Sequence, residues 1–299
     1  MKKRMKLSTK TKRTIKGYLF LMPNFGGFFI FLIIPIFMGA VFSLTNYDGY
    51  QRMDFVGFSN YIRMFQDEYF LISLKNNIVY TAVTVPATVV LALLLACALN
   101  VGLKGTNMFR TLFFFPTISS MIAVGIVWSL LFNPIQGPVN QFLMSLGISS
   151  PPEWLASTKW ALWAIMIVAI WKQAGYYMVM ILAGLKAIPA QLYESAKIDG
   201  ANSIMRFFKI TLPMLSPTMF MVSTLALINS FQVFDLISVM TDGGPGNSTN
   251  VLVYRIYQEG FKYSKMGYAS AIAYFLFLII FIITILQFRG QKKWVNYME

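Results

Sequence analysis

The chain has 299 residues, of which 57% are hydrophobic and 12% are charged. Soluble domains carry about 25% charged residues, so this composition argues against a soluble enzyme and indicates a membrane protein. The net charge of +14 fits either nucleic-acid binding or the cytoplasmic charge bias of a membrane protein, and the apolar content favours the second. With no histidine and one cysteine, Cys97, the sequence excludes a histidine-based catalytic triad and an intrachain disulfide.

Six apolar runs are each long enough to cross about 30 Å of hydrocarbon as a helix. The predicted spans are 18–44, 76–100, 109–133, 160–185, 212–235 and 266–288. The sequence therefore predicts an all-α, polytopic membrane protein with six transmembrane helices in one domain, 18–288. Several prolines are predicted to kink these helices or to act as hinges; they are Pro23, Pro35, Pro86, Pro116 and Pro217.

The distribution of charge predicts the orientation of these spans. The N-terminal tail, 1–17, holds eight Lys/Arg and no acid, which the positive-inside rule places in the cytoplasm. Six spans return the C-terminal tail, 289–299, to the same side. Cytoplasmic segments then hold 17 Lys/Arg and three acids, while the outer segments are balanced. We therefore expect the basic residues to contact the lipid bilayer, and we expect no nucleic-acid partner.

A hydrophilic cytoplasmic segment, 186–213, joins the fourth and fifth predicted spans. Pro189 can begin a helix, Glu194 lies near its positive end, and Gly200 can end it. A second short helix is predicted at about 202–209, with apolar residues on one face. The residues alone leave two interpretations open: a docking site for a partner, or a helix lying on lipid.

The same segment carries a spaced motif. Its three parts are Glu194-Ser195-Ala196, Asp199-Gly200-Ala201 and Ile210-Thr211-Leu212-Pro213. The motif resembles the cytoplasmic signature of importer permeases of the ATP-binding-cassette (ABC) class, which reads Glu-Ala-Ala, Asp-Gly-Ala and Ile-x-Leu-Pro. Only Ser195 departs from it.

Two outer motifs narrow the resemblance to carbohydrate-importer permeases. They are Phe55-Val56-Gly57-Phe58-Ser59-Asn60-Tyr61 and Asp242-Gly243-Gly244-Pro245. Both are similar to motifs of the maltose and glycerol-3-phosphate first permeases. The large periplasmic insertion and the extra N-terminal helices of the maltose member are missing here, so the resemblance implies the shorter, six-helix type I ABC importer permease fold.

The resemblance implies a permease subunit of an ATP-driven importer for a sugar or oligosaccharide, with no enzymatic activity of its own. Segment 186–213 would couple the translocation path to a separate ATPase. The residues implied for that contact are Glu194, Ser195, Ala196, Asp199, Gly200 and Ala201. The sequence contains no Gly-x-x-x-x-Gly-Lys-Ser/Thr phosphate loop, so we expect no cofactor in this chain and ATP and Mg²⁺ on the partner ATPase.

The resemblance also implies the partners and the location. The expected partners are a second homologous permease subunit, an ATPase dimer, an extracellular substrate-binding protein and the sugar. The expected location is the cytoplasmic membrane of a bacterium or archaeon, with both termini in the cytoplasm.

Polar residues within two spans mark a candidate substrate path. Lys172 is the only charge well inside a span, where a charge is costly and by default marks a pathway or a partner. The candidates are Lys172, Gln173, Tyr176, Asn229, Ser230, Gln232 and Val233. All except Gln232 also align, without gaps, with the sugar-contacting positions of the maltose permease. The alternative is that these groups join helix to helix. Asp235 lies near the outer end of its span, too far in depth from Lys172 for a predicted ion pair.

Three alternatives to a sugar importer remain at this stage. One is an importer permease for another solute, such as glycerol phosphate or a modified sugar. Another is a stand-alone carrier or channel, which would transport alone and would give segment 194–213 no role. A third is a membrane-embedded enzyme, which the lack of histidine and of clustered intramembrane acids weakens.

Overall fold

A computed structural model describes residues 9–101 and 105–296, which form helices joined by short connections. Within the described residues the α-helices, in chain order, are α1 (Thr9–Phe28), α2 (Ile34–Ser43), α3 (Ser59–Gln66), α4 (Glu68–Asn100), α5 (Thr106–Ile118), α6 (Met121–Leu131), α7 (Pro138–Ser145), α8 (Ala161–Ala187), α9 (Ala190–Ile198), α10 (Ser203–Arg206), α11 (Leu212–Phe231), α12 (Asp235–Met240), α13 (Leu252–Tyr257) and α14 (Met266–Gln291). Residues 1–8 of the predicted N-terminal tail lie outside the described residues.

In the described part of the chain, five helices are long and apolar enough to cross a membrane. They are Lys16–Ser43, Glu68–Asn100, Ala161–Ala187, Ser203–Phe231 and Met266–Gln291. These correspond to the first, second, fourth, fifth and sixth predicted spans. The prediction of an all-α, multi-pass membrane protein is therefore confirmed.

The third predicted span, 109–133, is wrong as a continuous helix. α5 ends at Ile118, α6 begins at Met121, and the two axes bend by 99° at the break. Ser119 and Ser120 are extended there, with ψ of 145° and 137°. Counted as one broken span, the pair brings the number of crossings to six.

The predicted short helix at 202–209 is also wrong as a separate element. α10 continues through a π-helical turn, Phe207–Thr211, into α11, which makes one helix over Ser203–Phe231. Pro213 lacks the N–H that would bond back to the preceding turn. The π turn, closed by the Leu212 N–H on the Phe207 carbonyl, lets the helix pass this proline without ending.

α8 is the central helix of the bundle, and the first span lies at its edge. In their most apolar windows, 61% of the residues of α8 are buried, whereas none of those of Lys16–Ser43 are. α8 packs against α4, α5 and α11. Most residues in the middle of α8 are therefore packed against the chain's own helices.

A buried ionic cluster joins α13 to the starts of α4 and α14. The Arg255 guanidinium lies 3.2 Å from the Asp67 carboxylate and 2.5 Å from that of Glu259, and the Tyr268 hydroxyl donates to Asp67 at 2.7 Å. Burial alone would raise the pKa of Asp67. The hydrogen bond from Tyr268 and the charge of Arg255 outweigh burial, so its pKa lies below the ordinary value of 3.8.

We predict that Asp67→Asn lowers the stability of the protein at neutral pH by about 1–3 kcal/mol, because a charged hydrogen-bond acceptor is lost beside a buried guanidinium. The folded-state pKa of Asp67 is depressed, so its contribution is complete above pH 3.8 and is lost as the pH falls through the lower folded value. Thermal unfolding of the purified protein between pH 3 and pH 7 checks this. Glu153→Gln, which changes an exposed carboxylate, is the control; equal stability of the two variants would contradict the prediction.

Candidate functional site

A polar cavity of about 340 Å³ lies where two helices break against the middle of α8. One break separates α5 from α6, and the other separates α11 from α12. The cavity is lined by Tyr80, Thr117, Met121, Lys172, Gln173, Tyr176, Tyr177, Asn229, Gln232, Val233, Phe234, Asp235 and Leu236.

The position of this cavity follows from the backbone. Non-helical backbone within a membrane is tolerated only where protein buries it or where it lines an aqueous cavity. The second break runs from Gln232 to Phe234, where φ is −142° and ψ is −56° at Phe234. Both breaks thus face the interior of the bundle, where polar side chains can meet their freed backbone groups.

Six of the seven predicted substrate-path residues line this cavity. They are Lys172, Gln173, Tyr176, Asn229, Gln232 and Val233. Ser230 does not: it is buried, its hydroxyl donates to the Leu227 carbonyl at 2.7 Å, and its oxygen lies 3.0 Å from the Thr81 hydroxyl, in hydrogen-bond contact. Ser230 therefore joins α11 to α4. Contact of the other six with a solute stays a prediction.

Several polar side chains of the cavity are available to a solute. The Asn229 amide donates to the Tyr177 hydroxyl at 3.1 Å, which orients both groups. Within the described part of the chain, the side chains of Gln173, Gln232 and Asp235 form no hydrogen bond or ion pair. Amides and phenols can exchange hydrogen bonds with hydroxyl groups.

Sequence reasoning did not identify Tyr80, Thr117 or Tyr177 as part of the site. Tyr80 lies in an apolar predicted span whose polar neighbours at helical spacing include Asn76 and Asn77, and the sequence does not show which face of that span meets the cavity. Thr117 reaches the cavity only because α5 ends directly after it. As expected, Lys172 and Asp235 form no ion pair in the described structure, although both line the cavity.

α8 and α5 approach closely beside the cavity. A Cβ atom on Gly175 would collide with the carbonyl oxygen of Phe113, so only glycine permits this approach. One helical turn earlier, Lys172 also contacts the α5 backbone. Both residues thus lie where the end of α5 packs against α8 at the cavity wall.

The second candidate site is the exposed segment α9 to α10 at one end of the bundle. α9 ends in a closed turn: the Ala201 N–H bonds to the Ala196 carbonyl at 2.8 Å, and the Gly200 N–H bonds to that of Lys197 at 3.1 Å. Gly200 has a φ of +80°, which favours glycine. Asn202 then caps α10 by accepting from the Met205 N–H at 2.8 Å.

Most of the predicted coupling residues are exposed on this segment. Glu194, Ser195, Asp199 and Gly200 are exposed, whereas Ala196 and Ala201 are partly buried. Glu194 is the fifth residue of α9, beyond its first turn. Apolar side chains are exposed as well, with Ile198 at 87% and Ile204 at 71%. Such a surface is typical of a docking site.

The segment is fixed to the helix that follows it. The hydroxyl groups of Tyr193 and Thr211 lie 3.0 Å apart and join α9 to the π turn. The C-terminal residues lie at the same end, where the Asn296 N–H donates to Ser216 Oγ at 2.9 Å. Movement of α9 would therefore be transmitted to the helix Ser203–Phe231.

This combination defines a class of protein. A bundle of membrane helices with a polar cavity at two helix breaks, and an exposed docking segment at one end, is the architecture of a transport permease. Residues 76–294 match the family of binding-protein-dependent transport system inner membrane components. The chain belongs to this family.

The relatives agree with that assignment. The chain is 37% identical to the probable ABC transporter permease protein YesP of Bacillus subtilis, over 96% of this chain and 93% of that protein. It is 34% identical to the lactose transport system permease protein LacF of Rhizobium radiobacter, over 96% and 97%. Its fold matches a chain of a bacterial alginate ABC transporter in complex with an alginate-bound periplasmic protein, with a TM-score of 0.85 at 24% identity over 95% and 96% of the two chains.

The chain is therefore a permease subunit of an ABC importer and not an enzyme. In this family ATP is hydrolysed by a separate subunit, and transport depends on a binding protein. This dependence argues against the stand-alone carrier and the membrane-embedded enzyme considered from the sequence.

We predict that Gly175→Ala forces α5 away from α8 and lowers stability by about 1–3 kcal/mol, because the added methyl group meets backbone that cannot move freely. Thermal unfolding and the yield of the assembled complex measure the effect. Gly290→Ala is the matched control, since a Cβ there meets nothing within 4 Å. Unchanged stability of Gly175→Ala would show that the two helices are not held at this distance.

Proposed function

We propose that the chain forms half of the translocation path of a carbohydrate importer and couples that path to an ATPase through segment 186–213, whose exposed part, 190–202, precedes the helix Ser203–Phe231. The single observation that carries the proposal is the helix Ser203–Phe231. It begins at the exposed segment and ends at the cavity. At 1.5 Å per residue, its 29 residues form a helix about 43 Å long.

The helix Ser203–Phe231 thus connects the exposed segment to the cavity. A partner that draws α9 away would pull on the π turn through the Tyr193–Thr211 contact. Asn229, at the far end of the same helix, would then move within the cavity. The cavity would change shape while the chemistry of ATP remains on another subunit.

The chemistry of the cavity supports a sugar as the solute. Sugars present many hydroxyl groups, which bind through amides and hydroxyls, and flat faces, which pack on aromatic rings. The cavity offers the side-chain amides of Gln173, Asn229 and Gln232 and the ring of Tyr176, which is 43% exposed. The lactose permease LacF, similar over nearly the whole chain, supports the same class of solute.

The proposed complex contains a second, homologous permease and an ATPase dimer that binds ATP and Mg²⁺. An extracellular binding protein delivers the solute. The basic N-terminal tail and the exposed segment 190–202 face the cytoplasm, as the positive-inside rule favours. Both lie on the side where ATP is available.

We predict that Gly200→Val uncouples ATP hydrolysis from solute uptake in the assembled complex. A β-branched residue at a φ of +80° is strained, and its side chain would enter the surface that meets the ATPase. Uptake and ATPase activity of the reconstituted complex measure the coupling. Gly200→Asn is the matched control for strain, because asparagine tolerates this conformation.

If uptake fails in both variants, close approach to the ATPase requires glycine. If it fails only in Gly200→Val, the turn itself is what coupling requires. Normal uptake and normal stimulation of the ATPase in Gly200→Val would contradict a coupling role for this segment.

We predict that Asn229→Ala and Gln173→Ala lower sugar uptake several-fold, because each removes hydrogen-bonding groups of the cavity wall. Each lost hydrogen bond corresponds to about 0.5–1.5 kcal/mol. Uptake of lactose by the complete system, measured over a range of concentrations, tests this. Ser230→Ala, which changes a side chain that contacts α4 and does not line the cavity, is the control; equal losses in all three variants would indicate a structural effect.

A further inference from the structure

Lys172 directs its ammonium group at the break between α5 and α6. The residue is only 6% exposed, and Nζ donates to the carbonyls of Ser119 at 2.6 Å and Pro116 at 2.9 Å. The carbonyl of Thr117 lies 3.5 Å away. Three acceptors around one nitrogen match the three N–H groups of an ammonium ion.

These carbonyls need a donor because they lie at a helix end within the membrane. The last four carbonyls of a helix have no partner inside the helix, and the hydrocarbon of the lipid has no donor for them. A cation at a helix C-terminus also interacts favourably with the helix dipole. The contact is reciprocal, since Thr117 Oγ1 donates to the Lys172 carbonyl at 3.2 Å.

The same contacts change what Lys172 can offer to a solute. With its N–H groups on backbone carbonyls, the ammonium has none directed at the cavity. The charge that this chain exposes to the cavity is the carboxylate of Asp235. The polar groups of the cavity wall that remain for a solute are therefore amides, phenols, the Thr117 hydroxyl and one acid, and the described residues of the wall include no free cation for an anionic sugar.

We propose that Lys172 is a positioning residue, which holds the broken end of α5 against α8 and so sets the shape of the cavity wall, and that it does not act as a ligand for the transported solute. The part that concerns the solute rests on the proposed function. The part that concerns the helix end stands independently of it.

The first test measures hydrogen exchange of the backbone amides of residues 119–124 in the assembled complex. Lys172→Met keeps the length of the side chain and removes all its donors. We therefore expect about tenfold faster exchange, which corresponds to the free energy of one charged hydrogen bond. Thr117→Val, which removes only the reciprocal bond, should give a smaller increase. Gln173→Ala, on the same wall, should leave this exchange unchanged.

The second test measures ATPase activity of the complex with its binding protein, loaded with lactose as a neutral sugar or galacturonate as an acidic one. Lys172→Met should lower the maximal rate for both sugars by the same factor and leave half-saturation unchanged. Lys172→Arg, which keeps the charge and donors, should restore part of the rate.

Two results would overturn the proposal. One is unchanged exchange at 119–124 in both Lys172→Met and Thr117→Val. The other is a loss of response to galacturonate alone. If Lys172→Met does not assemble, Thr117→Val decides the question. If the unmodified complex responds to neither sugar, lactose and galacturonate are not its solutes, and the exchange measurement alone decides the role of Lys172.

Discussion

Backbone N–H and C=O groups within a membrane must find partners in the protein, because hydrocarbon offers none. The architecture of this permease depends on that constraint. Where its helices are continuous, the groups satisfy one another. Where α5 and α11 end inside the bundle, the groups must be met by side chains or by water, and the cavity lies at these two ends. At the break between α5 and α6, Lys172 donates to the freed carbonyls. The close packing at Gly175 brings α5 and α8 within reach of this contact.

The two candidate sites lie at opposite ends of one helix, Ser203–Phe231. The exposed segment at one end leads through a π turn into the helix whose last turns carry Asn229. The π turn allows that helix to pass Pro213, so the connection is uninterrupted. A break between the short helix predicted at 202–209 and the span predicted from 212 would have separated the exposed segment from the cavity. In the proposed function, the continuity of this helix is what would carry a movement at the ATPase contact to the cavity.

Much of this structure can be predicted from sequence because the membrane imposes length and apolarity on every span. That rule predicts five of the helices, and the glycine at position 200 predicts a helix end with a positive φ. The break at Ser119 and Ser120 does not follow from it. Hydropathy averages over side chains and does not register backbone direction, and the donor that stabilises the break lies 53 residues away in sequence.

The candidate cavity was predictable in part for a similar reason. Helical spacing identified seven candidate residues in two predicted spans, and six of them line the cavity. It could not separate Asn229 from Ser230, since neighbours in a helix differ by about 100° and only the packing decides which faces inward. Tyr80 and Thr117 reach the cavity through packing and through the break, which are properties of the fold and not of local pattern.

Water access to the cavity is the most direct test of the central claim, that two helix breaks enclose a polar path controlled by the exposed segment. In a Cys97→Ser background, Gln232→Cys places a thiol on the cavity wall, and Leu278→Cys places one on the outer surface of α14. A charged maleimide would label each variant in the complete complex, with and without ATP and Mg²⁺. The account predicts that Gln232→Cys is labelled, that nucleotide changes its rate, and that Leu278→Cys stays unlabelled. Equally slow labelling of both thiols, unaffected by nucleotide, would contradict it.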